Sequence, residues 1–444
     1  MLPEPLVIEA DLTWTGERFE PDLQIVVACN GTIEHVGALD MRATHRLPDH
    51  ALIPGFVNAH SHAFQRGLRG RGESFPKGSG SFWTWREAMY ELVTEMTPER
   101  MRELTCRAFR EMLAAGMTTV GEFHYLHHSG ASKDFALDEI VVQAARDVGI
   151  RLVLLNCYYR TGGVEKSLNE AQSRFDGVSV EHFWKQTDRL AKLLDPATQS
   201  LACAPHSIRA VSIEEIVELR AEAKRRGMPF HIHAEEVVGE IEDCVAHYRV
   251  TPLRLLCERA DVDDTFTVIH ATHSNEGDLR RYLSLGGRVC LCPITEGNLG
   301  DGVADLPVMR STSARQCFGT DSNVRIGATE ELRWLEFVQR IARVRRGVVV
   351  DGLGDMARAL LEVGTAGGAD ALGLRAGRIE PGCLADFCAI DLTAPALEGW
   401  TRDTLLAAFL LGSGNDAIGA VCVGGKWHPG SRGKMPLAHD SALA

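Results

Sequence analysis

His60 and His62 are separated by one residue and follow the apolar pair Phe56-Val57. A short apolar run predicts a buried strand, and residues two apart on a strand share a face, so both imidazoles can address one ion. Imidazole suits zinc and similar divalent metals. On spacing alone the pair reads equally well as a structural or surface feature. Groups of the same chemistry recur later: His206 and Arg209, then His231, His233, Glu235 and Glu236, then His270 with His273, then Asp321. Each ends or follows a short apolar run. Jointly they offer metal ligands, carboxylates that can carry protons, and a cation that can grip an anionic substrate.

The elements that must position them alternate. Apolar runs near 56–60, 118–123, 151–156, 200–205, 229–234, 265–270, 288–292 and 315–320 are each followed by a helical pattern. Strand–helix alternation implies parallel βαβ units, and eight of them imply a closed barrel whose chemistry sits at the C-terminal strand ends. That is where the histidines and Asp321 stand. Ser212 with Glu215 three residues on predicts a capping box, and Gly227 predicts the end of that helix. The termini have another grammar. Runs at 6–8, 24–28 and 33–36, with Asn30-Gly31 as a hairpin turn, are β-prone, and the style returns at 385–390 and 417–427. The expected fold is therefore α/β: a (β/α)8 TIM-like barrel over 51–370, with a small β-sandwich domain formed from both termini, 1–50 and 371–444. The connection after His62, to about residue 97, is long for a barrel loop, and such loops are often functional.

Composition narrows the function class. The chain has 444 residues, 45% hydrophobic and 24% charged, with a net charge of -13. It is long enough for a large core, and no basic stripe points to nucleic acid or a membrane surface. The first residues carry neither a positive n-region nor an apolar h-region, so no secretion signal is expected. The 12 cysteines are scattered through apolar runs, which fits buried packing in a reducing cytoplasm; Cys290-x-Cys292 is also compatible with metal binding.

Within strand 5 of the barrel, His233 lies nearer the strand end than His231, which makes it the better ligand and leaves His231 as a core histidine. At this point a resemblance carries the reading further. Pro54-Gly55-Phe56-Val57-Asn58-Ala59-His60-Ser61-His62 resembles the first metal motif of the amidohydrolase superfamily, and His233-Ala234-Glu235-Glu236 resembles the His-x-x-Glu motif of its deaminase branch. His270 and Thr320-Asp321 match its later histidine and aspartate, and Gly382-Cys383-Leu384-Ala385-Asp386 looks like its return into the small domain. The stretches Ala59 to Gly70 and Phe82 to Tyr90 are similar to the formimidoylglutamate deiminase family within that branch.

The resemblance implies one divalent ion, usually zinc, a homodimer, and a small dicarboxylate substrate of histidine degradation. His60, His62, His233 and Asp321 would hold the ion. Glu236 would hydrogen-bond the imino nitrogens and pass protons to the leaving one, His270 would orient the attacking hydroxide or share the proton transfer, and Asp321 would accept a proton. The two substrate carboxylates then call for cations, because arginine grips carboxylate bidentately. Arg209 is the candidate for one, with His206 beside it. Arg86 is the candidate for the other, from its own or the partner subunit. Gln65 and Tyr125 are candidate neutral donors.

Overall fold

The computed structural model describes residues 2, 4–75, 78, 80, 82–313, 315–433, 435 and 437–438. Parallel strands run over Phe56–Ser61, Met117–His124, Arg151–Tyr158, Gln199–Pro205, Phe230–Ala234, Phe266–His270, Arg288–Leu291 and Gln316–Phe318, each hydrogen-bonded to the next in chain order. We number them 1 to 8. Strands 1, 2 and 3 are buried at every residue, as strands covered by barrel interior on one face and helices on the other must be.

The ring closes between strands 8 and 1. Ser61 and Asp321 form a parallel bridge. The Asp321 amide donates to the His60 carbonyl at 3.0 Å, and the His62 amide to the Asp321 carbonyl at 2.8 Å. Gly319 makes this seam possible: a Cβ there would lie 2.7 Å from both Cβ and O of His60. Closure therefore sets His60, His62 and Asp321 side by side.

The helices follow their local signals. The helix Ile213–Arg225 opens on the expected capping box, in which the Ser212 hydroxyl accepts from the Glu215 amide at 3.3 Å and the Glu215 carboxylate from the Ser212 amide at 3.4 Å. Gly227 then takes φ 66° just past its end. The long connection after His62 holds a 3₁₀ turn, Ala63–Leu68, and a helix, Phe82–Thr94. Among the described residues no helix is long and apolar enough to cross a membrane.

Both termini build one further sheet of nine strands, centred on Leu6–Trp14, His45–Pro54 and Phe387–Asp391. The N- and C-terminal contributions meet where His45–Pro54 pairs antiparallel with Phe387–Asp391. Ile8, Ile25, Leu52, Phe387 and Cys422 from its strands share one core. Hairpins form at Asn30-Gly31 and Gly424-Gly425, as their sequences predict. The strand His45–Pro54 carries on past residue 50, and only Gly55 separates it from barrel strand 1. The C-terminal segment is not wholly sheet: helical turns at Leu405–Gly412 cover the barrel floor, where Phe409 stacks on Phe56 at 6.3 Å. All 12 cysteines are unpaired and ten are buried.

Candidate metal centre and substrate cavity

Strand 1 ends in His60 and His62, strand 5 carries His233, and the turn after strand 8 carries Asp321. Their ligand atoms all lie within 4.8 Å of one another, and all four residues are buried. His60 Nε2 is 3.2 Å from Asp321 Oδ1 and 3.2 Å from His233 Nε2, and His62 Nε2 is 3.3 Å from Asp321 Oδ1.

The tautomers explain why these atoms can crowd. His62 Nδ1 faces the Phe123 carbonyl at 2.8 Å, and His233 Nδ1 faces the His206 carbonyl at 2.9 Å. A carbonyl only accepts, so each Nδ1 carries the proton and each Nε2 presents a lone pair. Lone pairs and a carboxylate oxygen converging without protons between them fit a cation. The separations fit as well, since donors about 2.0–2.1 Å from a tetrahedral zinc are about 3.3 Å apart. Burial keeps the imidazoles neutral, as ligands must be: it drives His60 and His233 well below the usual histidine range and His62 down to about 4. His231 is apart from this group, its Nε2 donating to the Ala371 carbonyl at 2.8 Å, as expected of a core histidine.

Carboxylates ring the remaining histidine. His270 Nε2 is 3.7 Å from Glu236 Oε1 and 3.9 Å from Asp321 Oδ2, while Nδ1 is 3.3 Å from Glu296 Oε1. Burial opposes a charge on His270, but Glu236, Glu296 and Asp321 outweigh it and push its pKa up to about 10. Burial pushes the Asp321 carboxyl up to about 7, against the pull of His270. Glu236 is also buried, yet His270 and Arg209 hold it below the usual carboxylate value. Glu235, Glu236's neighbour, takes φ 55° and leaves the site, accepting from the Leu253 amide at 3.0 Å and Ser274 Oγ at 2.5 Å. His270 and Asp321 are likewise left-handed, at φ 76° and 45°. Non-glycine residues held in this region cost about 1–3 kcal/mol each and gather at functional sites.

Among the described residues, two other groupings could hold an ion by proximity. His270, Cys292 and Asp321 share Asp321 with the centre above, but burial raises the Cys292 thiol well above its ordinary range and keeps it protonated. Thus Cys290-x-Cys292 reads as core. His124, His127 and Asp138 form a separate buried set whose groups satisfy one another, at 3.0 Å and 2.8 Å, with Gln186 completing the carboxylate at 2.9 Å.

The proposed substrate-reading residues gather on the same cavity. His62, Gln65, Arg86, Tyr125, His206, Arg209, His233, Glu236 and Asp321 all line it. Their partners differ from expectation in one respect. Arg209, expected to await a substrate carboxylate, donates through Nη2 to Glu236 Oε2 at 2.9 Å, and its Nε lies 4.0 Å from buried Glu240. The Arg209 guanidinium and the Glu236 carboxylate are thus one ion pair. Gln65 Nε2 donates to the Tyr125 hydroxyl at 2.7 Å, so those two neutral groups form a unit. His206 is edge-on to Tyr159 at 4.7 Å, and burial with Arg209 nearby drives its pKa well below the usual range. Arg86, on the helix Phe82–Thr94, donates to the Tyr159 hydroxyl at 3.3 Å and lies over the Tyr90 ring.

The sequence reading missed Tyr159, Glu240 and Glu296. Tyr159 carries a usable signal, since it directly follows strand 3, but a tyrosine there offers neither a metal ligand nor a charge to mark it. Glu240 and Glu296 lie in helices, where an acidic residue is unremarkable.

Comparison with known proteins places this geometry. A family model described as "Amidohydrolase family" matches residues 51–428. The chain is 37% identical over 383 residues to formimidoylglutamate deiminase of Pseudomonas aeruginosa, covering 85% of this chain and 84% of that protein. It is 29% identical over 395 residues to 5-methylthioadenosine/S-adenosylhomocysteine deaminase of Natronomonas pharaonis, covering 86% and 84%. Among solved structures it superposes on an amidohydrolase from Brucella melitensis with a TM-score of 0.87 at 32% identity, covering 97% of this chain and 96% of the other. An adenosine deaminase from Xanthomonas campestris, solved with bound zinc, shares the fold with a TM-score of 0.81 at 24% identity, covering 98% and 95%.

Proposed function

We propose that this chain, which belongs to the amidohydrolase family, is a metal-dependent deiminase that converts N-formimidoyl-L-glutamate and water to N-formyl-L-glutamate and ammonia. The observation that carries the reading is the presence of Arg86 and Arg209 on the same cavity as the His62, His233, Asp321 and Glu236 side chains. A net acidic protein that places two guanidiniums beside a metal centre is built for an anion. The 37% identity to a formimidoylglutamate deiminase supports the same substrate.

His60, His62, His233 and Asp321 would hold the ion, for which zinc is our choice from the nitrogen-rich donor set. When bound, the ion lowers the pKa of a water to about 7 and so supplies hydroxide near neutrality. The protein groups divide the rest. Arg209 and Arg86 bind the two carboxylates and hold the formimino carbon in place. Asp321 Oδ2, on the His270 side of its carboxylate, takes the proton that the water gives up. Glu236, ionised at rest, hydrogen-bonds the imino nitrogens and relays to the terminal one the proton that Asp321 took from the water, so that this nitrogen leaves as ammonia. His270, ringed by Glu236, Asp321 and Glu296, orients the attacking water or shares the proton transfer. Each proton-transfer role is worth about 10²–10⁴-fold.

The resemblance supports two further parts of this reading, a homodimer and a place in histidine degradation, and the buried, unpaired cysteines support a third, a cytoplasmic enzyme. We also propose the division into a barrel near 51–370 and a small domain from 1–50 and 371–444, supported by the pairing of the two termini in one sheet.

A second reading has one observation in its favour. Trp85, Tyr90, Tyr125 and Phe175 give the cavity an aromatic wall that could stack on a purine, as the resemblance to adenosine-derivative deaminases also suggests. Ammonia release from the zinc-loaded protein, measured with formimidoylglutamate, guanine, cytosine, adenosine and 5-methylthioadenosine, separates the two. Turnover of a nucleobase or nucleoside with none of formimidoylglutamate would replace the first reading by the second.

A further inference from the structure

Tyr159 follows strand 3 and is 2% exposed. Its hydroxyl meets two groups, Gln172 Nε2 at 3.0 Å and Arg86 Nη2 at 3.3 Å. The direction of both bonds can be deduced. Gln172 Oε1 accepts from the Asn169 amide at 3.0 Å, while Asn169 Oδ1 accepts from the Gln172 amide at 2.8 Å. That reciprocal lock fixes which end of the Gln172 amide is oxygen, so the end facing Tyr159 is the NH₂ group and it donates. A guanidinium has no acceptor, so Arg86 donates too. Both lone pairs of the phenol oxygen are then used, and among the described residues nothing accepts its own proton. Burial raises the Tyr159 pKa, so that proton stays on.

We infer that Tyr159 is a further substrate-binding residue: its O–H donates into the cavity to the same carboxylate that Arg86 binds, and Gln172 is the positioning residue that turns the proton that way. The inference rests on the reading of the substrate as a dicarboxylate. A guanidinium and a hydroxyl joined by a hydrogen bond offer adjacent donors to the two oxygens of one carboxylate, which suits the charge-assisted, paired contacts that such groups prefer. His206, edge-on to the Tyr159 ring at 4.7 Å, and Phe175, at 5.4 Å, hold the phenol in place.

The test uses the zinc-loaded full chain with Tyr159→Phe and Gln172→Glu. The phenylalanine keeps the ring and deletes the donor. The glutamate keeps the shape but accepts where the amide donated, and so draws the Tyr159 proton away from the cavity. Each change should raise KM for formimidoylglutamate about tenfold and leave kcat within about twofold, with unchanged metal content and melting temperature. Two N-formimidoyl analogues, each lacking one carboxylate, give the specific readout: the analogue that Arg86→Met spares should be the one that Tyr159→Phe spares. A Tyr159→Phe enzyme with unchanged kcat/KM overturns the inference, and so do equal losses on both analogues. Absence of turnover in the unmodified protein would instead sink the functional reading. Calorimetric binding of N-formyl-L-glutamate then decides the Tyr159 question without turnover: about tenfold weaker binding to Tyr159→Phe supports it, and equal binding overturns it.

Discussion

At the scale of the residue, the Arg209–Glu236 pair would join recognition to chemistry in the proposed reading. With 2.9 Å between Nη2 and Oε2, a substrate carboxylate arriving at Arg209 would have to share or displace the Glu236 carboxylate, the proposed proton carrier. Arg209→Met should therefore do more than weaken binding. A charge-assisted hydrogen bond contributes about 1.5–3 kcal/mol, so kcat/KM for formimidoylglutamate should fall at least about tenfold. Glu236, relieved of the cation that helps hold its pKa down, should titrate higher. Activity toward an analogue lacking the matching carboxylate should then keep its size but shift its acid limb upward in pH. An unshifted pH profile, with losses confined to the natural substrate, would mean that Arg209 reads the substrate and does not tune Glu236. In the same terms, Glu236→Gln keeps the metal and loses most turnover, whereas Glu235→Gln, whose carboxylate serves Leu253 and Ser274, should cost stability before activity.

At the scale of the element, the strand ends do the positioning, and two contacts behind them are open to test. Gly319→Ala places a methyl 2.7 Å from the His60 backbone oxygen. It should open the seam between strands 8 and 1, with a lower melting temperature and reduced zinc content; full zinc occupancy at the normal melting temperature would show that the seam has slack. Glu122, on strand 2, accepts from the Ala63 amide at 2.6 Å and so anchors the turn after His62. Burial raises its pKa from 4.5 to about 8. The folded chain thus holds a proton that the unfolded chain loses above about pH 4.5, and this contribution is full below 4.5 and fades as pH rises to about 8. Glu122→Gln removes that dependence. Its urea midpoint relative to the unmodified protein should improve steadily from pH 5 to pH 8 and then level off; a constant difference would place the Glu122 carboxyl outside this account.

The strand ends are also what the sequence made legible. Barrels put chemistry there, so His60, His62, His233, His270 and Asp321 could be read from their place after apolar runs. The Arg209–Glu236 and Tyr159–Gln172 contacts could not, because they join irregular segments whose paths depend on packing around them. The cover over the barrel floor at Leu405–Gly412 was hidden for a similar reason: its short apolar run has no period that separates a strand from a helical turn.

At the scale of the whole molecule, a buried ion pair joins the small sheet to the barrel at their boundary. Arg151, on strand 3, is bidentate to Asp386 at 2.7 and 2.9 Å, and the Gly424 amide adds 2.7 Å to the same carboxylate. Asp386→Ala leaves a guanidinium that is 4% exposed without its counter-charge and should cost about 3–5 kcal/mol by chemical unfolding. The pair Arg151→Met with Asp386→Ala should recover part of that loss; a single variant as stable as the unmodified protein would show that the two units need no such link. The molecule as a whole is proposed to break one of the two carbon–nitrogen bonds at a formimino carbon, and product analysis in ¹⁸O-water tests this most directly. The account predicts one ammonia released for each N-formyl-L-glutamate formed, with the heavy oxygen in the formyl group, and most of this turnover lost in the Glu236→Gln protein. Formamide and glutamate in their place, or turnover undiminished by Glu236→Gln, would contradict it.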